Sequence, residues 1–366
     1  MATSRRTLVL GAAGCGATTP FLISCAPSTG HADAAAILRR PIDVKPGDRA
    51  ALMREHVRFA ALAPSSHNTQ CWKFRVQERS ITIEPDLTRR CPVVDPDDHH
   101  LFVSLGCATE NLAQAALASG LRADARFDAA GTGAITVGLE PTRPVSSALF
   151  QAIAERQCTR GDYDGRPVSP QELKLLEQAG TGTGVRVVLL TDRAAMEKVL
   201  EYVVAGNTAQ MNDPAFVAEL KAWIRFSAGE AADTGDGLYA GASGNPSLPR
   251  WLGSRMMGLF FTPKSENERY AKQIRNSAGI AVFASDASNP SYWVEAGRCY
   301  ERFALQATAL GIRNAFLNQP VEVGAIRPQF AAAFGLGEQR PDLVVRFGRG
   351  PTMPMSMRRP VQAVLA

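Results

Sequence analysis

Leu101-Phe102-Val103-Ser104-Leu105-Gly106-Cys107-Ala108-Thr109-Glu110-Asn111-Leu112-Ala113-Gln114-Ala115-Ala116-Leu117-Ala118-Ser119-Gly120 reads as a long helix stopped by glycine. A second helix of the same kind is read from Trp293 to Gly311. The two align without a gap at an offset of 191 residues. Gly106, Glu110, Ala113, Ala116, Ala118, Gly120 and Arg122 match Gly297, Glu301, Ala304, Ala307, Ala309, Gly311 and Arg313. Small residues three and four apart let two helices approach closely. Similar composition arises by chance in single helices, but so many ungapped identities argue for an internal duplication. Each helix also follows a turn signal, Asp95-Pro96 in one case and Asn289-Pro290 in the other.

Short β-branched runs surround these helices. Ser80–Pro85 and Ala134–Leu139 fall in the first half; Val185–Leu190, Gly279–Ala284 and Leu343–Phe347 fall in the second. Helices and strands interleave throughout. The expected class is α+β, built from two repeated sheet-plus-helix units in one chain, with the two long helices packed at a pseudo-twofold centre.

Ala61-Leu62-Ala63-Pro64-Ser65-Ser66-His67-Asn68-Thr69-Gln70-Cys71-Trp72-Lys73-Phe74 crowds short polar groups between a helical run and a strand. Such residues suit turns, and proline fixes the backbone ahead of them. The plain reading is a helix end, a turn and a strand start. The functional reading is a polar loop backed by aromatics that suits a flat heteroaromatic ligand. The spelling Ala-Pro-Ser-Ser-x-Asn-x-Gln-x-Trp-x-Phe resembles the flavin-contacting segment of the FMN-dependent nitroreductases. It departs from that family at Cys71, where proline is usual.

The resemblance covers most of residues 48–360 and is weak from about 205 to 275. It implies a nitroreductase-like fold. Nitroreductases are obligate dimers of one such unit, so the duplication implies the Acg-like branch, with the dimer fused as an intrachain pseudo-dimer and one FMN per chain. From the first motif it carries over Pro64, Ser65, Ser66, Asn68 and Gln70 as cofactor-binding residues. The irregular stretch 205–275 corresponds to a lid over the flavin; by sequence alone it is a long insertion, and such insertions are often functional.

Glu155-Arg156-Gln157-Cys158-Thr159-Arg160 opens the second half. It resembles the family's Arg-x-Ser-x-Arg phosphate-binding segment, with Cys158 in the serine position. Two arginines four apart share one side of a helical turn, and each guanidinium offers a planar fork to a phosphate. The alternative is a solvated basic helix end. The resemblance adds a late cation, Arg358 or Arg359, whose alternative is a frayed basic tail, and a loop with Gln319 and Pro320 beside the flavin ring. Arg54 and Arg58, in the first half, have no short polar donor between them.

The amino terminus reads as an address. Arg5-Arg6 precedes an apolar, small-residue run from Leu8 to Ile23, the layout of a twin-arginine secretory signal. Leu22-Ile23-Ser24-Cys25 resembles a lipobox, which makes Cys25 a lipidation site; ordinary cleavage nearby is the alternative. The expected organisation is a signal at 1–24, a tether at 25–47 rich in Ala, Ser, Pro and Gly, a first half at 48–145 and a second half at 146–366. The expected location is outside the cytoplasm, on a lipid anchor.

The chain has 366 residues, a formal charge of +5 and 45% hydrophobic residues, so a packed core is the default. Loss of Arg5 and Arg6 leaves +3. No basic run is interleaved with aromatics, so nucleic acid is not an expected partner. Seven cysteines include no CxxC pair. Asp95-Pro96-Asp97-Asp98-His99-His100 is read as turn and cap chemistry, not as a metal site, because a periodic helix follows at once. The expected function is an FMN-dependent oxidoreductase acting on a quinone, nitroaromatic or similar electron-poor acceptor, as a monomer, with a redox partner or quinol as donor. The alternative is a flavin-sequestering protein under a closed lid. No catalytic side chain is assigned, because the flavin carries the chemistry.

Overall fold

The computed structural model describes residues 29–45 and 47–366. Arg5, Arg6 and Cys25, with the signal and lipidation readings, lie outside the described residues. The chain begins with α1 (Thr29–Leu38) and α2 (Arg49–Ala60). A hairpin of β1 (Trp72–Val76) and β2 (Ser80–Pro85) follows, then the long helix α3 (His99–Ala118), β3 (Leu121–Phe127) and β4 (Ile135–Pro141). After α4 (Ala148–Ala152) and α5 (Pro170–Gly180) comes β5 (Val185–Leu190). An excursion then carries α6 (Arg193–Met211), α7 (Pro214–Trp223), β6 (Ile224–Arg225), α8 (Ala228–Thr234), β7 (Leu238–Tyr239), α9 (Arg250–Phe260) and α10 (Pro263–Arg275). The chain closes with β8 (Gly279–Ser285), α11 (Pro290–Ala309), β9 (Arg313–Phe316), α12 (Gln319–Glu322), α13 (Arg327–Ala333), β10 (Arg340–Gly348) and α14 (Val361–Val364).

The two main sheets have the same topology. The first has the order β1-β2-β4-β3 and the second β5-β8-β10-β9, each antiparallel throughout. Counted within its own unit, each sheet runs first, second, fourth, third, and the long helix joins the second strand to the third. The class is α+β, as two repeated units fused in one chain. In the first unit, strands one and two form a tight hairpin. In the second, the excursion α6 to α10 fills that interval.

α3 and α11 pack against each other between the sheets. One core runs from Ile81, Ile83 and Val137 of the first sheet, through Leu105 and Phe303 on the helices, to Val187, Phe283 and Val345 of the second. A second cluster, with Val199, Ile274, Val282 and Phe330, covers the far face of the second sheet. The burial patterns follow from this layering. All of β8 is buried, whereas β3 alternates between covered and exposed positions because its outer face meets water.

Close approach of the long helices depends on glycine. A methyl group on Gly106 would collide with the carbonyl oxygen of Val294, and one on Gly297 with that of Val103. The carboxy-terminal segment returns to the first unit, where the Ala366 amide donates to the Phe74 carbonyl at 2.9 Å.

The tether reading of 25–47 needs correction from Thr29 onward. α1 is a regular helix, and it buries His31 and Ala35 against Ala231 and Tyr239. Alanine suits a helix as well as a flexible chain, and the tertiary contact decides between them. No helix among the described residues is long and apolar enough to cross a membrane.

Candidate functional site

A cavity of about 580 Å³ lies between the units, walled by the 64–68 loop, the 156–160 segment, the start of α12 and the inner face of the excursion. That volume is within the range of small-molecule and cofactor sites. Five arginines line it, Arg39, Arg156, Arg160, Arg269 and Arg358, and the charges of Arg39, Arg156 and Arg358 act on one another. Phe216, Leu220, Met257 and Phe261 of the excursion supply apolar lining.

The 64–68 wall is strained and tied down. After α2 ends, Ser66–Asn68 makes a single tight turn in which His67 has φ 47° and Asn68 φ 54°; Gln70 follows at φ 54°. Left-handed backbone at non-glycine residues persists only where surroundings over-determine it, and it concentrates at functional sites. The surroundings here are specific. Asn68 Nδ2 donates to the carbonyls of Gly237 at 2.9 Å and Met357 at 3.2 Å. The Gln70 amide donates to Ser65 Oγ at 2.8 Å, and Gln70 Nε2 to the Gly235 carbonyl at 2.9 Å.

These bonds revise the roles expected for Asn68 and Gln70. Both Asn68 N–H groups are taken by the excursion and the carboxy-terminal segment, and its oxygen accepts from Arg358. Gln70 is fully buried, outside the cavity wall, with its oxygen accepting from the Arg359 amide at 2.8 Å. Pro64, Ser65, Ser66 and Asn68 line the cavity; Gln70 does not.

The arginines differ in what they have left to offer. Arg358 donates to the carbonyls of Ala61, Leu62, Ala63 and Met357 and to Asn68 Oδ1, which uses all five of its N–H groups. It clamps the end of α2 and cannot also hold a phosphate. Arg359 points away from the cavity, donating to the carbonyls of Gln70 and Ala363. Arg156 is buried with Nε 3.0 Å from Glu301 Oε1, and it donates to the Leu62 carbonyl at 2.9 Å. Arg160 is half-buried on the cavity wall and has no side-chain partner among the described residues. It is the free cation of the site, and Cys158 lines the wall beside it.

Arg39 is a cavity residue that the tether reading hid. It donates to the carbonyls of Ala35 and Ser356, and burial followed by the Arg156 charge pushes it down to about 10. Burial, then the positive charges of Arg39 and Arg156, push Arg358 well below the usual arginine range. Crowded cations held out of water favour a bound anion.

At the start of α12, Gln319 lines the cavity with its buried Oε1 unpartnered among the described residues. A buried carbonyl without a donor marks a place where a ligand N–H fits. Pro320 is buried behind it and does not reach the wall. His100 and Glu322 also line the cavity, 3.8 Å apart, and burial pushes Glu322 upward. His67 lines the wall too, held at about 4 by burial.

Asp95 caps the approach to α3, accepting from the amides of His100 and Leu101 at 3.0 Å each. His99 and His100, adjacent in the chain, both reach Asp342. His99 Nε2 is 2.8 Å from its carboxylate and His100 Nε2 is 3.3 Å from its carbonyl. The five described cysteines are free.

The excursion is bonded across the cavity to the first unit. Glu219 accepts from the amides of Val93 and Val94 at 2.9 and 3.0 Å. Asp236 pairs with Arg89 and Arg225. The Gly237 amide donates to the Asn68 carbonyl at 3.2 Å.

No family model matches this chain. It is similar to a protein of Mycobacterium tuberculosis strain H37Rv, provisionally named an NAD(P)H nitroreductase, with 26% identity over 329 residues, 86% of this chain and 90% of that protein. A second, uncharacterised protein of the same strain is 23% identical over 339 residues, 86% of this chain and 92% of its own length. Among solved structures, an FMN-bound nitroreductase from Desulfitobacterium hafniense aligns with 59% of this chain and 96% of its own, at 16% identity and a TM-score of 0.38. An FMN-dependent nitroreductase from Mycobacterium smegmatis, in complex with NADPH, aligns with 56% and 87% at 13% identity and a TM-score of 0.36.

Proposed function

We propose that this protein binds flavin mononucleotide in the cavity between its units and passes electrons to a small electron-poor acceptor, such as a quinone or nitroaromatic compound. The observation that carries the reading is the meeting of Arg160, without a side-chain partner among the described residues, with the strained Pro64–Asn68 loop in one cavity lined by arginines and by apolar side chains. The long sequence similarity to a relative named as a nitroreductase points the same way.

The residues present fit this cofactor. Arg160 would hold the phosphate, supported by the nearby charges of Arg39 and Arg156. Ser65, Ser66 and Gln319 would offer hydroxyl and amide groups to the ring system. When bound, the flavin supplies the hydride and electron transfer. The chain supplies position, positive charge and shelter from water. Because the units are already fused, the protein works as a monomer with one flavin.

Export by the twin-arginine route and anchoring at Cys25 belong to the same proposal. NAD(P)H is scarce outside the cytoplasm, so the donor there is a redox partner or a quinol.

A second reading, flavin sequestration with little turnover, is favoured by the bonds that hold the excursion down. Glu219, Asp236 and Gly237 all fix it to the first unit, which would slow both exchange and acceptor entry.

The visible spectrum of the full chain, purified after expression in the cytoplasm, tests the proposal. Bound flavin is expected; a colourless protein that also fails to take up added FMN would overturn both readings. With flavin present, reduction by dithionite or NADPH and repeated reoxidation by a nitroaromatic identifies an oxidoreductase. Retention without turnover identifies a store.

A further inference from the structure

We propose that α9 docks on an anionic lipid bilayer and turns the mouth of the cavity towards the membrane surface. Trp251 and Leu259, at 67% and 72% exposure, stand outward on this helix. Phe260 and Met256 are also exposed and line the cavity, so they form its rim. Of the large exposed apolar side chains among the described residues, four fall within these ten positions. That density marks an interaction surface.

The charge of the segment selects the partner. Residues 237–265 contain no aspartate or glutamate, while Arg255 and Lys264 are basic, exposed and without an ion-pair partner among the described residues; Arg250 is paired with Glu230. A helix with an outward tryptophan and leucine and flanking cations suits the interface of a membrane carrying negative headgroups.

The route of the chain agrees. α1 packs on α8 and β7 through Ala35 and His31. α9 joins the same body through Arg250, which bonds Glu230 at 2.6 Å, and through Gly253, which lies against the Phe226 ring. Cys25 lies only four residues before Thr29, a span of about 14 Å when extended. An anchor at Cys25 would thus hold this side of the molecule at the membrane. The orientation rests on the export reading; the chemistry of α9 does not. An acceptor dissolved in the lipid would then enter past Phe260.

The test uses the chain from residue 26 onward, which lacks both the apolar run Leu8–Ile23 and Cys25, so that neither contributes, and vesicles of phosphatidylcholine with and without phosphatidylglycerol. The chain is expected to float with the anionic vesicles and not with the neutral ones. Tryptophan emission should shift to the blue in the parent and not in Trp251→Ser, since Trp72 and Trp293 are buried and Trp223 is half-buried in both. Trp251→Ser with Leu259→Ser should lower the bound fraction about tenfold or more, and Arg255→Glu with Lys264→Glu should lower it in the same direction. Neither pair lines the cavity, so unchanged circular dichroism certifies the fold. No flotation with anionic vesicles, or equal flotation of parent and Ser variants, overturns the proposal. So does a parent dimer that the Ser variants dissociate, which would make this face an interface between two copies. Palmitate labelling at Cys25 separately tests the anchor, and its failure leaves the vesicle result to decide α9.

Discussion

Gly106 and Gly297 sit at the crossing of α3 and α11, each against a valine carbonyl that belongs to the other's helix. The contact is reciprocal: Val103 and Val294 are themselves related by the offset of 191 that relates the glycines. The duplication read in the sequence is therefore a physical pseudo-twofold, and it sets the distance between the two units.

A side chain at either glycine must push the helices apart. Gly106→Ala and Gly297→Ala should each cost about 2–4 kcal/mol, an overpacking penalty against rigid backbone. Urea unfolding measures it. The double variant should cost less than the sum, because one separation relieves both clashes; full additivity would show that the two contacts are independent.

Arg358 is committed to backbone carbonyls and Asn68, whereas Arg160 is the cation proposed to hold the phosphate. Arg358→Lys keeps a charge but cannot serve four backbone carbonyls and Asn68. It should cost about 3 kcal/mol or more of folding stability, read as a lower urea midpoint.

Arg160→Ala removes a cation without a protein partner. Folding stability should change by less than about 0.5 kcal/mol, while FMN affinity falls about 10- to 100-fold by fluorescence titration. Arg359→Ala should leave that affinity unchanged. If Arg359 matters and Arg160 does not, the phosphate end is misassigned.

Burial pushes Asp342 up to about 7 and holds His99 well below its ordinary value. The folded state therefore binds the Asp342 proton more tightly than the unfolded state does. That stabilisation is complete below the unfolded value near 4 and is lost as pH rises through about 7. The His99 effect has the opposite sign, since only the unfolded state charges it on acidification below about 6.5. In Asp342→Asn the second effect remains alone. The variant should gain stability relative to the parent between pH 4 and 7, by about 2–4 kcal/mol, in chemical unfolding at stepped pH. A pH-independent difference would assign an ionised pair.

Arg89→Ala removes one bond that holds the excursion down, its pair with Asp236. Flavin release should become faster, by about tenfold, measured as the rise of free-FMN fluorescence after rapid dilution of the loaded protein. An unchanged release rate would show that the excursion does not gate the cavity.

Much of the architecture is legible in the chain because it rests on local pattern. The long helices carry the small-residue spacing, and β2, β4, β5, β8 and β10 carry the β-branched runs. β3 is not legible in the sequence, since Leu121-Arg122-Ala123-Asp124-Ala125-Arg126-Phe127 has no β-branched residue and owes its extension to pairing with β4. α1 was read as tether because composition does not report a docking surface.

The sequence by itself determined the duplication, the polar loop and the supply of arginines, all properties of residue identity and spacing. Only the tertiary structure decided which arginine is free. Asn68, Gln70 and Arg358 have the right chemistry for a cofactor, but the carbonyls of 235, 237 and 357 take the side-chain amides of Asn68 and Gln70, and those of 61, 62 and 63 take the Arg358 guanidinium. A buried donor has a fixed number of N–H groups, and which acceptors reach it depends on the three-dimensional path of the chain.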